Sequence, residues 1–214
     1  MNGEATAIAS MAPARKKLLD AALRLIREKG YASTTVDDLC AEAGVAKGSF
    51  FHHFEDKEAL GVASAQYWST TTNAFFAAAP YHRYKDPLER LLGYVDFRKS
   101  ILRGELAEFT CLAGTLVQEV YESNPAIRAA CEAAISGHAA KVEADIVEAI
   151  KLHGIRAKWT AKSLALYTQA VLQGAFILAK AEGGPETAAA SIDHLRRYIE
   201  LLFQPATRRE KEIS

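Results

Sequence analysis

Apolar residues recur at helical spacing along nearly the whole chain. Leu19, Ala22, Leu23 and Ile26 fall at i, i+3, i+4 and i+7, a stripe that predicts an amphipathic helix over 13–29. Pro13 suits the first position of that helix and Gly30 its stop. Thr34 or Thr35 then caps a second helix, with Asp37 or Asp38 three residues on completing an approximate capping box. Val36, Leu39 and Ala43 face inward, Gly44 ends the helix, and Val45 folds back as the apolar contact after the turn. A short third helix covers 47–54, and Asp56 caps a fourth over 57–79 that carries Leu60, Ala63, Tyr67, Trp68, Phe75 and Phe76. After a break at 80–87, helices are expected over 87–102, 105–121, 125–152, 158–181 and 185–203, punctuated by Gly, Pro and Asn. No segment alternates convincingly at period two, so the fold class is all-α.

The third helix, KGSFFHH, is a poor core element. At 100° per residue Phe50 and Phe54 lie together and point into the core, while Gly48 and His52 lie opposite, flanked by Ser49 and Phe51. Two helices joined by a glycine turn, the second offering small and polar groups outward, form a helix-turn-helix suited to the major groove. Gly48 allows close approach, and Ser49 can donate to a phosphate or a base edge. Lys47 and His52 can donate to phosphates or purine acceptors, and Phe51 can touch a thymine methyl or the sugar-phosphate backbone. Lys57 lies in the first turn of the fourth helix, the wrong end of the dipole for a cation; a phosphate bound there explains it. Thr35, opening the second helix, is placed to contact the flanking phosphate.

Composition narrows this less than the pattern does. Half of the 214 residues are apolar and 24% are charged, and 26 Lys and Arg balance 26 Asp and Glu. Residues 1–60 hold eight Lys or Arg against nine Asp or Glu, so DNA binding rests on a few placed donors rather than on bulk charge. The first ten residues lack the basic start of a signal peptide, and no unbroken apolar run reaches the ~18 residues of a membrane span. A cytoplasmic protein with no membrane partner is expected. Cys40, Cys111 and Cys131 are odd in number and in no CxxC arrangement, which argues for buried thiols and against structural zinc, with Cys111 as a candidate redox sensor. No GxGxxG, Walker A, HExxH or GxSxG is present, and no Glu precedes any of the six histidines by three residues. Catalytic residues, cofactors and metal ligands are therefore not expected.

The order of residues adds a resemblance. EKGYASTTV followed by DDLCAEAGVAKGSFFHHFEDKEAL is similar to the N-terminal DNA-binding domain of the TetR family of bacterial regulators, near-continuously from Arg15 to Leu60. The shared pattern is TTV-DD-L-x-x-x-AGV-x-KGS-x-x-x-HF-x-x-KE-x-L. The resemblance implies an all-helical homodimer with an N-terminal three-helix DNA-binding domain and a C-terminal helical domain for ligand binding and dimerisation. It sets groove contacts at Lys47, Gly48, Ser49, Phe51 and His52, and phosphate anchors at Thr35 and Lys57 with help from His53. Ala46 departs from the Ser frequent there and cannot cap the reading helix, and Phe51 lacks the hydroxyl of the frequent Tyr.

The expected division is a disordered tail over 1–12, the DNA-binding domain over 13–59, a ligand-binding and dimerisation domain over 60–205, and a flexible tail over 206–214. On the family layout, the effector is expected among Trp68, Phe75, Phe97, Cys111, Thr115, Gln118, Tyr167, Gln173 and Phe176, a mostly apolar and aromatic set. The same layout implies that the last two helices form the dimer interface, through Ala165, Gly174, Ala175, Ile192, Leu195, Ile199 and Leu202. The function expected is a ligand-responsive repressor on a near-palindromic operator, released by a small, largely apolar effector. A helical protein-interaction module with a vestigial reader and a helical-bundle enzyme are the rival readings.

Overall fold

The computed structural model describes residues 10–156 and 158–204. The described residues form ten α-helices and a 3-10 turn, without strands. The helices are α1 (Pro13–Lys29), α2 (Val36–Ala43), α3 (Lys47–His53), α4 (Lys57–Ala77), α5 (Pro87–Ser100), α6 (Leu106–Phe109), α7 (Leu112–Val120), α8 (Pro125–Leu152), α9 (Ala161–Glu182) and α10 (Glu186–Leu202). The 3-10 turn, Pro80–Arg83, buries Tyr81 inside what the sequence presented as a plain break. Of the two expected tails, 1–9 and 206–214 lie outside the described residues, as does residue 205 of the expected second domain.

Two compact units result. The first runs through Ala77 and adds Glu105–Ile135; the second comprises Ala78–Gly104 and the chain from Ser136. Packing thus divides the chain differently from the boundary expected at residue 59/60, because α4, α7 and the start of α8 share a core with the first three helices, and α6 packs on α1. Leu18, Leu19, Ala22 and Ile26 of α1 meet Leu39 of α2, Phe50 and Phe54, Leu60 of α4, and Leu112 and Leu116 of α7 in that core.

One helix was expected over 105–121; two are present. Thr110 is extended and returns its hydroxyl to the Leu106 carbonyl at 2.7 Å. Cys111 then caps α7, its Sγ accepting from the Gly114 amide. The carbonyls of Glu108 and Thr110, left without helical partners, accept instead from Arg27 Nη1 at 3.2 and 3.4 Å.

In the second unit α9 packs on α10 and α10 on α5. Asp86 caps α5 and also meets His153 Nε2 at 2.9 Å. Ion pairs tie Arg90 to Asp145 and Glu148, Lys99 to Asp193, and Arg196 to Asp96. By length and mean hydropathy (1.2) α9 meets the measure of a bilayer-spanning helix, which a search for unbroken apolar runs passes over. Its Thr168 and Gln169 are nevertheless buried with Leu164, Leu172 and Phe176 in a protein core.

Five residues expected at a dimer interface prove to be this core. Ala165 and Ala175 of α9 and Ile192, Leu195 and Ile199 of α10 are buried within the single chain, and Leu202 is half-buried. The stripe was real, but its partner is intramolecular. The apolar residues these helices leave outward are Leu166, Tyr167, Ile177 and Leu178 of α9 and Tyr198 and Leu201 of α10. Gly174 stays open, with nothing within 4 Å of a Cβ built there.

Candidate nucleic-acid interface

The α2–α3 pair is held by local chemistry. Thr35 Oγ1 accepts from the Asp38 amide at 3.1 Å while the Asp38 carboxylate accepts from the Thr35 amide at 2.8 Å and from its hydroxyl at 2.7 Å. Lys29 joins Asp38 at 2.8 Å and, with these bonds, holds that carboxyl well below the usual carboxylate range. Gly44 takes the left-handed conformation (φ 62°), so the Val45 amide can bond back to the Cys40 carbonyl at 3.0 Å. The chain leaves this turn through extended Ala46, whose side chain makes no cap bond to α3.

Two aromatic rings orient α3. Phe50 and Phe54 are buried, their ring centroids 5.6 Å apart. Arg15, a residue whose role the sequence pattern did not reveal, stacks over Phe54 at 4.5 Å and donates to the His53 carbonyl at 3.0 Å. It thereby places a cation at the helix C-terminus, where the dipole favours it. The opposite face turns outward: Gly48 and His52 are exposed, Phe51 is 55% exposed, and Ser49 and His53 are half-buried. A Cβ built at Gly48 meets nothing within 4 Å.

Three expected DNA contacts are already engaged within the chain. Lys47 Nζ pairs with Asp37 Oδ1 at 2.8 Å. The Thr35 hydroxyl both donates and accepts in its cap. Lys57 needs no phosphate to explain its place: Nζ donates to the Ala32 carbonyl at 3.3 Å and sits 4.4 Å over the Tyr31 ring. Asp37 and Ala32 lay outside the expected site because helix periodicity says nothing about contacts across a turn.

The expected effector residues fall into both units. In the first, Trp68 lies beneath the Arg27 guanidinium at 4.8 Å, Cys111 caps α7, and Thr115 donates to the Cys111 carbonyl. Gln118 is exposed and donates to the Gly114 carbonyl, so it lacks the burial that made it a candidate. Phe75 is 51% exposed; Phe76 is the buried ring of the pair. In the second unit, Tyr167 faces outward beside Tyr198, ring centroids 5.2 Å apart, and Gln173 is half-buried. Phe97 and Phe176 do join a cluster. Phe97 lies 5.8 Å from Tyr81, Tyr81 lies 5.8 Å from Tyr94, and Arg98 stands over Phe176 at 5.5 Å. The buried amide here is Gln169, which donates to Tyr94 Oη at 3.3 Å; Tyr94 Oη also meets His138 Nε2 at 2.9 Å. Burial, with Arg98 and Lys141 nearby, pushes His138 down to about 3. Among the described residues no three His, Cys, Asp or Glu side chains converge as a metal site.

Comparison with known proteins bears on both segments. Residues 18–63 match the profile of bacterial regulatory proteins of the tetR family, and residues 87–195 that of the tetracyclin repressor-like C-terminal domain. The chain is 27% identical over 174 residues to the HTH-type transcriptional repressor DhaR of a Mycobacterium species, covering 81% of this chain and 86% of that protein. It is 35% identical to the HTH-type transcriptional regulator YerO of Bacillus subtilis, over 54 residues that span 25% of this chain and only 19% of that protein. The crystal structure of the regulatory protein TetR from Rhodobacter sphaeroides superimposes with a TM-score of 0.77 at 27% identity, over 87% of this chain and 98% of that one.

Proposed function

This chain belongs to the tetR family of bacterial regulatory proteins and is a transcriptional regulator, and we propose that it is a repressor released from a near-palindromic operator by a small effector. The observation that carries this reading is the two-sided α3. Phe50 and Phe54 lock one face inward while Gly48, Ser49, Phe51 and His52 stand outward around a glycine that the chain's own packing does not require. A glycine in a helix loses more conformational freedom on folding than an alanine would, so its use here points to a close approach from outside, such as a base-pair edge. Lys47 joins the contacts once duplex phosphate competes with Asp37, and His53 borders them. Repression agrees with the name of DhaR.

The working form is a homodimer in the cytoplasm. The outward apolar residues of α9 and α10 (Leu166, Tyr167, Ile177, Leu178, Tyr198 and Leu201) with Gly174 form the face offered to a second copy. A two-fold pair of readers suits half-sites roughly 34 Å apart or a multiple of that. The effector is assigned to the second unit's cluster of Phe97, Phe176, Tyr81 and Tyr94, where Gln169, His138 and Arg98 supply orienting polar groups within aromatic walls. An effector that binds the DNA-incompetent form more tightly by about 1–3 kcal/mol lowers operator affinity several-fold to a hundredfold.

The test is selection of genomic fragments by purified protein followed by footprinting. Recovery of a near-palindromic site supports the reading; no protected site anywhere in the genome rejects it. The double variant Lys47→Ala, His52→Ala should lose the footprint and keep the dimer. A protein-interaction module would be unaffected in both.

A further inference from the structure

Most backbone polar groups of the turn between α1 and α2 have a partner within the chain, and two of those partners are charged side chains from far along the sequence. The Gly30 amide bonds to Ile26, Thr34 returns its hydroxyl to the Gly30 carbonyl at 2.6 Å, and the Ala32 carbonyl accepts from Lys57. The consecutive amides of Tyr31 and Ala32 both donate to one carboxylate, Glu119, each at 2.9 Å. Gly30 permits this approach: its φ is 88°, and a Cβ there would lie 2.7 Å from Glu119 Oε1.

Glu119 lies in the last turn of α7, where the helix dipole disfavours an anion, just as Lys57 lies in the first turn of α4, where it disfavours a cation. Both misplaced charges converge on the same turn, where burial lowers the pKa of Lys57 and the Glu119 carboxylate partly offsets that shift. The turn runs straight into the Thr35 cap of α2, and α2 reaches the reading helix through Asp37 and Lys47. At its other end α7 follows the Glu108 and Thr110 carbonyls that Arg27 of α1 holds. So α7 is bonded to the α1–α2 turn at its C-terminal end, and the segment just before it is bonded to α1. Yet α7 lies within the stretch that matches the C-terminal domain profile, residues 87–195.

We infer that Glu119 is a positioning residue for DNA reading: its carboxylate clamps the Gly30–Ala32 turn and so sets the pose of α2 and α3 from a helix that belongs by sequence to the effector domain. The inference rests on the DNA-reading assignment of α3. Charge-assisted bonds to two adjacent amides are directional, which a packing contact is not.

The experiment compares wild type with Glu119→Ala, Glu119→Gln and Leu116→Ala. Leu116 is buried in the same helix and reports a purely structural loss. The probe is a duplex selected by the wild-type protein from a random-sequence pool, titrated well below every melting temperature. Glu119→Ala should bind it about tenfold more weakly, with Glu119→Gln, which keeps one carbonyl oxygen, recovering part of the loss. Leu116→Ala should melt earlier and bind like wild type. In the free protein, Glu119→Ala should speed amide exchange selectively at Tyr31, Ala32 and through α2 and α3, whereas Leu116→Ala should speed it evenly across the first unit in step with its lost stability. Affinity within twofold of wild type for Glu119→Ala, or an equal loss in Leu116→Ala, overturns the inference. If wild type selects no duplex, the DNA-reading assignment fails by itself. The exchange pattern then decides the clamp: unchanged rates through α2 and α3 in Glu119→Ala overturn it.

Discussion

Lys47 Nζ lies 2.8 Å from Asp37 Oδ1, so the one lysine of α3 and a carboxylate of α2 neutralise each other across the turn. Both side chains are exposed, and such a pair contributes little to folding. On the proposed DNA-reading role of α3, phosphate must compete with Asp37 for the cation, and the Asp37 carboxylate repels it. Asp37→Asn should raise duplex affinity about threefold at low salt, with the gain shrinking as ionic strength rises. Fluorescence anisotropy at two salt concentrations checks this; weaker binding by the variant would show that Asp37 serves the complex.

Ala46 leaves the first turn of α3 without a side-chain cap. Ala46→Ser places a hydroxyl where it can accept from the Ser49 amide, which now bonds to the Ala46 carbonyl at 2.9 Å. The gain should be ~1 kcal/mol, seen as slower amide exchange in α3 and tighter duplex binding. No change in exchange would mean that Phe50 and Phe54 alone hold the helix.

His138 is half-buried against Tyr94, and desolvation there holds it neutral down to about 3, whereas an unfolded-chain histidine titrates near 6.5. Between these values the unfolded state binds the extra proton, so stability is complete above about 6.5 and falls on acidification through that window. The slope is about 1.4 kcal/mol per pH unit for one proton. Denaturant melts at pH 7 and pH 5 should show that loss in wild type and a shallower one in His138→Gln.

The outward and inward faces of α9 and α10 should separate cleanly in mutants. Leu178→Glu, on the exposed face, should give folded monomers by sedimentation velocity. Leu195→Ala, in the core, should cost about 2–5 kcal/mol of stability and leave assembly intact. The reverse pattern would return the interface to the inward stripe.

The two-sided character of α3 was legible because its logic is local. Seven residues set which side of α3 carries Phe50 and Phe54, and spacing alone separates them from Gly48 and His52. Caps were legible for the same reason, since Thr35 and Asp38 are three residues apart. The effector residues were harder. Tyr167 and Phe75 looked like lining and face outward, while Gln169 and His138, unremarkable by spacing, share the hydroxyl of a buried tyrosine 75 and 44 residues away from them.

Residue order alone was enough for the all-α class, the start of α1 at Pro13, the extent of α8, and the split of α3 into an inward Phe50 side and an outward Gly48 side, because periodicity, capping and glycine stops act over one or two turns. What each face packs against depends on the whole fold. The Ile192, Leu195 and Ile199 stripe satisfies a core and a dimer interface equally well, and burial within one chain settles it as core. Likewise the 105–121 helix broke at Thr110 because a distant guanidinium, Arg27, was available to take the carbonyls the break exposes. Glu119 and Lys57 looked misplaced on their own helices until the fold brought both to the turn at Tyr31 and Ala32. Electrostatic and hydrogen-bond partners many residues apart leave no periodic trace, so they are chosen by packing and read only from it.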